Sequence, residues 1–281
     1  MAIAARTRFN AGNMILKPAP AAALAAAILP TALGVILATG VATLPAAPQA
    51  RAGTPVCDAP PYRDVPEVAG IVANLAPVLD RFPRLAATLE NDVAELCVSD
   101  GMVGAHGWFE PDTGSVTLAS GLAPGAAQSV LVHELRHVQQ HVTGVCPPPD
   151  LAMREYARVV MAMEADASVT SLFVAATLRE AGEPEMWQAL LAWPLQADLA
   201  RAFDAELEAD GDLATAASRA FAAWYDDGER RQAYYVSACL DYLDRSERLH
   251  LLDRNGILPD AFFEQLCRLP DGRSYDCVGL P

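Results

Sequence analysis

Basic side chains are scarce in this chain: 20 Lys and Arg stand against 35 Asp and Glu, for a formal net charge of −15. A surface of that sign repels phosphate, which argues against nucleic acid as a partner and leaves the acidity to keep the protein soluble. Cysteine pairs at ligand spacing are missing too. There is no CxxC and no Cys/His cluster, so nothing in the cysteine spacing suggests a cysteine-based metal site. No internal repeat is present, so solenoid and propeller architectures drop out.

Acids are absent from the first 52 residues, where Arg6, Arg8, Lys17 and Arg51 are the only charges. An uncharged, Ala-rich stretch runs from Pro18 to Ala50 and ends in the small-x-small site Ala50-Arg51-Ala52. This pattern predicts an export signal with a long basic leading region, cleaved after Ala52. The stretch is also long enough to span a bilayer, so an uncleaved N-terminal membrane anchor is the alternative. Pro30 and Pro45 weaken a continuous helix there without forbidding it. Residues 53–281 then make one domain of ordinary size, and losing the four basic residues of the leader would take the net charge from −15 to −19. The expected location is periplasmic or secreted.

All six cysteines, Cys57, Cys97, Cys146, Cys239, Cys267 and Cys277, lie beyond that segment. An even number in an exported chain predicts disulfides. Cys267 and Cys277 enclose a Pro-Asp-Gly turn at Pro270–Gly272 and form the preferred bridge, while Cys57 is placed to tie down the start of the mature chain. Free buried thiols are the alternative.

The chemistry is concentrated in Val132-His133-Glu134-Leu135-Arg136-His137-Val138-Gln139-Gln140. Two imidazoles one helical turn apart, with a carboxylate beside the first, make the HExxH zinc-hydrolase pattern. With 5 His and 35 acids in 281 residues, a shuffled chain would contain His-acid-x-x-His about 0.01 times. Residues four apart on a helix can place ring nitrogens on one ion, so His133 and His137 are the expected zinc ligands. Glu134 points about 100° away from His133, beside the ion, and is a base candidate. Val130, Leu131, Val132, Leu135 and Val138 predict a buried helix, in which imidazole and carboxylate need partners to offset desolvation.

A catalytic zinc keeps three protein ligands and one open position. The metzincin third His would fall at Thr143, and there is no Gly at Gln140, so that class is excluded. His141 continues the series from His137 but stands about 12 Å along the helix from His133, too far to share the ion. The next helix is the remaining source. From Val159 to Leu178 runs a largely apolar stretch whose only charges are Glu164 and Asp166, and buried acids must be paired, neutralised or bound to a cation. Glu164, Ser168 and Ser171 form a polar stripe. Glu164 is the expected third ligand. Asp166, about 200° round the helix, is expected to support a ligand or pair with an arginine.

On these pieces, HELRH on one helix and Glu164 within MEADA on the next, the chain resembles gluzincin-type zincins. It is similar in particular to bacterial metallopeptidase families of unknown function that share HExRHxxQ and E-A-D/E-A. The likeness covers roughly residues 100 to 180. It implies zinc at His133, His137 and Glu164, with Glu134 as general base, acting on a peptide or protein substrate. It also implies a hairpin over Gly107–Ser120 before the active-site helix, whose edge strand would pair with extended substrate. Thermolysin-like members carry an Asp where this chain has Ser168, which leaves the partner of the ligand histidine open.

Elsewhere, Val68–Leu96 has helical apolar spacing broken by Pro77 and Pro83 into about two helices. Short strands over Ala105–Phe109 and Ser115–Ala119 flank the turn cluster Pro111–Gly114. Gly144 and Pro147–Pro149 end the active-site helix, and Asp150 can cap the next. Residues 185–208, 212–226 and 229–252 read as amphipathic helices, with a short one over Pro259–Leu266. The expectation is α+β: a mostly helical, zincin-like domain with one small sheet before the active-site helix. The C-terminal helices would wall the cleft and supply an oxyanion donor, for which Tyr234, Tyr235 and His250 are chemically able, and His106 is a lesser candidate for facing the cleft. Two rival readings remain, a non-catalytic zincin-fold binding or scaffold protein of the cell envelope, and an acidic helical envelope protein without metal.

Overall fold

In a computed structural model, residues 54–102, 105–252 and 254–277 are described. The expected export signal or anchor therefore lies outside the described residues. The fold is α+β, mostly helical with one small mixed sheet.

Four strands build the sheet: β1 (Val56–Asp58), β2 (Glu95–Ser99), β3 (Gly107–Glu110) and β4 (Ser115–Ala119), in the order β1-β2-β4-β3. β1 and β3 run antiparallel to their neighbours, whereas β2 and β4 are parallel. The hairpin β3–β4 is the expected one, and alternation explains it: Phe109, Val116 and Leu118 are buried while Trp108, Ser115 and Thr117 are half-buried. β2 was hidden in the sequence. Leu96, Cys97 and Val98 are all buried, since an inner parallel strand is covered on both faces and loses its alternation.

Ahead of β2, the expected two helices are three: α1 (Pro66–Asn74), α2 (Ala76–Arg81) and α3 (Pro83–Asn91). Pro77 and Pro83 sit in first turns, where a missing N–H costs nothing, so they start helices as well as ending them. The helical pattern also stops short of Leu96, which belongs to β2.

α4 (Pro124–Val142) carries the HExxH segment, and α5 (Met153–Glu180) lies against it. α5 is long and apolar enough to cross a membrane, but its apolar window is wholly buried in protein. A helix apolar all round is a core helix when others surround it, and α4 together with three helices within residues 185–248 does so. Its N-cap is Ala152, without a side-chain bond. Asp150 does not cap it; its carbonyl accepts from the Gly256 N–H at 2.9 Å instead.

The expected helix over 185–208 divides at Pro194 into α6 (Glu185–Ala192) and α7 (Ala197–Asp210). α8 (Leu213–Trp224) and α9 (Gly228–Arg248) start on Asp212 and Asp227, whose carboxylates accept from first-turn N–H groups at 2.7 and 2.8 Å. α10 (Ala261–Leu266) is the short C-terminal helix. Two disulfides form. Cys267–Cys277 closes the expected turn, and Cys57–Cys97 ties β1 to β2, while Cys146 and Cys239 stay free.

Candidate metal centre

α4 enters the core with Val130, Leu131, Val132, Leu135 and Val138 buried, and this carries His133, Glu134 and His137 inward with them. α5 presents Glu164 from the opposite wall, buried like its neighbours. The three expected ligands meet: His133 Nε2 lies 3.1 Å from His137 Nε2 and 3.4 Å from Glu164 Oε2, and His137 Nε2 lies 3.5 Å from Glu164 Oε1. These atoms can hold one metal ion. Glu164 Oε2 is buried and makes no hydrogen bond despite its closeness to His133, the condition of an oxygen facing a cation site.

The charges of this cluster are strongly coupled. Burial alone would push the Glu164 carboxyl up, but His137 and His133 hold it down to about 2. Burial opposes a charge on His137 as well, yet Glu164 and then Glu134 raise it to about 9. His133 moves down instead, because burial and the neighbouring His137 outweigh Glu164. Without metal, a proton is therefore favoured on His137 and disfavoured on His133.

Glu134 is 1% exposed, and burial raises its carboxyl to about 8 against the pull of His137. Oε2 has no hydrogen-bond partner. Its other side is fixed by β3, where the Phe109 backbone N–H donates to it.

Gln140, one turn beyond His137, answers the question that Ser168 left open. Its Oε1 lies 2.8 Å from His137 Nδ1, and its Nε2 donates to Asp166 Oδ2 at 2.8 Å and to the Met163 carbonyl at 3.1 Å. Both groups facing Nε2 are acceptors, so that atom must be the amide nitrogen and Oε1 must be the acceptor for the ring. In its neutral form His137 then carries its one proton on Nδ1 and turns the Nε2 lone pair toward His133 and Glu164. Asp166 also takes the expected arginine, Arg136, whose Nε donates to Oδ2 at 2.6 Å.

Tyr234 on α9 faces this cluster; burial, then the charge of Glu164, keeps its hydroxyl neutral well beyond the usual range. The other candidates stand elsewhere. Tyr235 and His250 are exposed and do not line the cavity, and His141 is an exposed residue set edge-on to Phe109. His106 does line it, with its ring against Trp193 at 4.9 Å. The cavity beside His133 and Glu134 is about 40 Å³ and is also walled by His106, Gly107, Trp193, Trp224 and Tyr234. Trp193, Trp224 and the nearby Arg230 had no signal in the sequence, since they look like ordinary residues of amphipathic helices.

A mostly helical α+β protein with two histidines and a glutamate gathered in its core is the class that fold and site define. The sequence profile described as Putative metallopeptidase family (DUF6782) matches residues 46–277. The chain belongs to that family. No curated protein and no solved structure matches it.

Proposed function

We propose that this protein is an exported zinc metallopeptidase of gluzincin type, with His133, His137 and Glu164 as ligands and Glu134 as general base. One observation carries the reading. Donors about 2.05 Å from a tetrahedral zinc stand about 3.3–3.4 Å apart; the two Nε2 atoms are 3.1 Å apart, and each has a Glu164 carboxylate oxygen at that range, Oε2 at 3.4 Å from His133 and Oε1 at 3.5 Å from His137. Two neutral nitrogens and one carboxylate oxygen are also the donor set that zinc takes in hydrolases. The two disulfides support an oxidising compartment outside the cytoplasm.

In such a site the ion supplies Lewis acidity, polarising the scissile carbonyl and acidifying a water. Everything else falls to the chain. Glu134, with a buried oxygen that has no hydrogen-bond partner, takes the proton from water in its carboxylate form and returns it to the leaving amine. Tyr234, a neutral phenol, donates to the developing oxyanion. β3 is the outer strand of the sheet and offers its edge to an extended peptide. The cavity of about 40 Å³ has room for an ion and one or two waters.

Zinc content measured together with cleavage of a peptide library tests the reading. Stoichiometric zinc with cleavage by wild type and none by Glu134→Gln supports it, and wild type without zinc or without cleavage overturns it.

A further inference from the structure

We propose that Tyr275, held in the loop closed by the Cys267–Cys277 disulfide, is a positioning residue that sets His137 for metal binding through Asp166 and Gln140. The inference rests on the reading above that the cluster holds zinc.

A continuous chain of hydrogen bonds supports it. Tyr275 Oη donates to Asp166 Oδ1 at 2.7 Å. Asp166 Oδ2 accepts from Arg136 Nε at 2.6 Å and from Gln140 Nε2 at 2.8 Å. Gln140 Oε1 accepts from His137 Nδ1 at 2.8 Å. Tyr275 and Asp166 are 109 residues apart in sequence, and the bond is buried.

The loop grips this network at two points. Besides Tyr275, the Leu266 carbonyl, one residue before the bridge begins, accepts from Arg136 Nη2 at 2.5 Å. Between the two grips the loop is fixed by its own bonds, Leu269 N–H to the Arg273 carbonyl at 2.8 Å and Tyr275 N–H to the Cys267 carbonyl at 3.2 Å, and by the disulfide. The Tyr275 ring also stands against Phe221, centroids 6.0 Å apart. The hydroxyl cannot swing away without breaking several of these contacts.

The consequence for His137 follows from donor and acceptor roles. A carboxylate only accepts, so with Tyr275 on one oxygen and Arg136 on the other, Asp166 is held in one orientation. In that orientation it demands the amide nitrogen of Gln140. Gln140 then has no choice but to turn its oxygen to His137 Nδ1, which leaves the Nε2 lone pair free for a metal. Loss of the Tyr275 hydroxyl frees the Asp166 carboxylate to turn away from Gln140, whose Nε2 then keeps only the Met163 carbonyl, so the hold on Gln140, and through its Oε1 on the Nδ1 proton of His137, weakens. Removing partners behind a ligand histidine typically weakens metal binding about 10–100-fold.

Competition between the full-length protein and a chromophoric chelator for zinc measures this directly in wild type, Tyr275→Phe, Gln140→Leu and the double variant. The expected result is about tenfold weaker zinc binding in Tyr275→Phe and no further loss on adding it to Gln140→Leu, because the two act in series. A Cys267→Ser/Cys277→Ser variant should lose affinity in the same direction, but Tyr275→Phe, which removes one hydroxyl and leaves the bridge intact, is the deciding variant. Equal affinity of Tyr275→Phe and wild type overturns the inference, as do losses that simply add in the double variant, the mark of a merely structural role. Wild type that takes up no zinc overturns the zinc reading and this inference together.

Discussion

Gly107 and Glu134 touch so closely that a side chain on the glycine has no place to go: a Cβ there would stand 2.6 Å from Glu134 Oε1 and 2.4 Å from Val130 Cγ1. The edge strand and the active-site helix are thus in contact at the proposed base itself. Gly107→Ala should push the Glu134 carboxylate by up to about 1 Å, which costs on the order of 100-fold in turnover when a reacting group is displaced. The atoms nearest that position belong to Val130 and Glu134, so zinc affinity should change far less than turnover. Steady-state kinetics beside a zinc titration decide it, and a variant with normal turnover would show that Glu134 needs no such tight seat.

How the sequence conveyed this site is clearest from the same helix. His133, His137 and Glu164 were legible because imidazoles and acids are costly in an apolar run, so their presence announces a shared partner. Asp166 was legible for the same reason. Gln140 stood in the motif without a role, since a neutral amide in a helix raises no alarm. Tyr275 was invisible: what matters about it is a contact across 109 residues, and no local pattern encodes that. The fold shows the same divide. The hairpin β3–β4 announced itself by alternation and turn residues, whereas β2, buried on both faces, gave no period to read, and Pro77 and Pro83 looked like breaks where they serve as starts.

Glu134→Gln keeps the shape of the side chain and removes its basicity. Zinc content should stay stoichiometric while kcat falls by about 100-fold or more, the usual scale of general-base loss. His133→Ala should instead lose the metal. Measuring both in one preparation separates the two roles, and full activity in Glu134→Gln would take the residue out of the mechanism.

Removing Cys57–Cys97 should affect stability and not the metal centre. The bridge closes a separation of 40 residues, for which the chain-entropy relation gives about 3–4 kcal/mol. Denaturant unfolding of Cys57→Ala/Cys97→Ala should show that loss, and chelator competition should show zinc affinity unchanged. A drop in affinity would mean that β1 and β2 hold the hairpin, and through it α4, more firmly than the helical packing does.

The titrations of the cluster set a pH dependence for the metal-free protein. His137 is raised from 6.5 to about 9, so its stabilising effect is complete below 6.5 and is lost as pH rises through 9. Glu134 is a carboxyl raised from 4.5 to about 8; folding favours its protonated form, and that contribution is likewise lost as pH rises through 8. His133 runs the other way, being lowered from 6.5, but its penalty is gone once pH exceeds 6.5. Glu164 is lowered from 4.5 to about 2 and contributes fully above 4.5. Between pH 6.5 and 9 only losses remain, so the melting temperature of metal-free protein should fall across that window. Zinc needs the unprotonated imidazole, so the stabilisation it adds should grow over the same range. Thermal melts at pH 6.5 and 9, with chelator and with zinc, check both slopes. His137→Asn should make the metal-free one shallower, leaving the part that belongs to Glu134, and an unchanged slope in that variant would place the proton elsewhere than on His137.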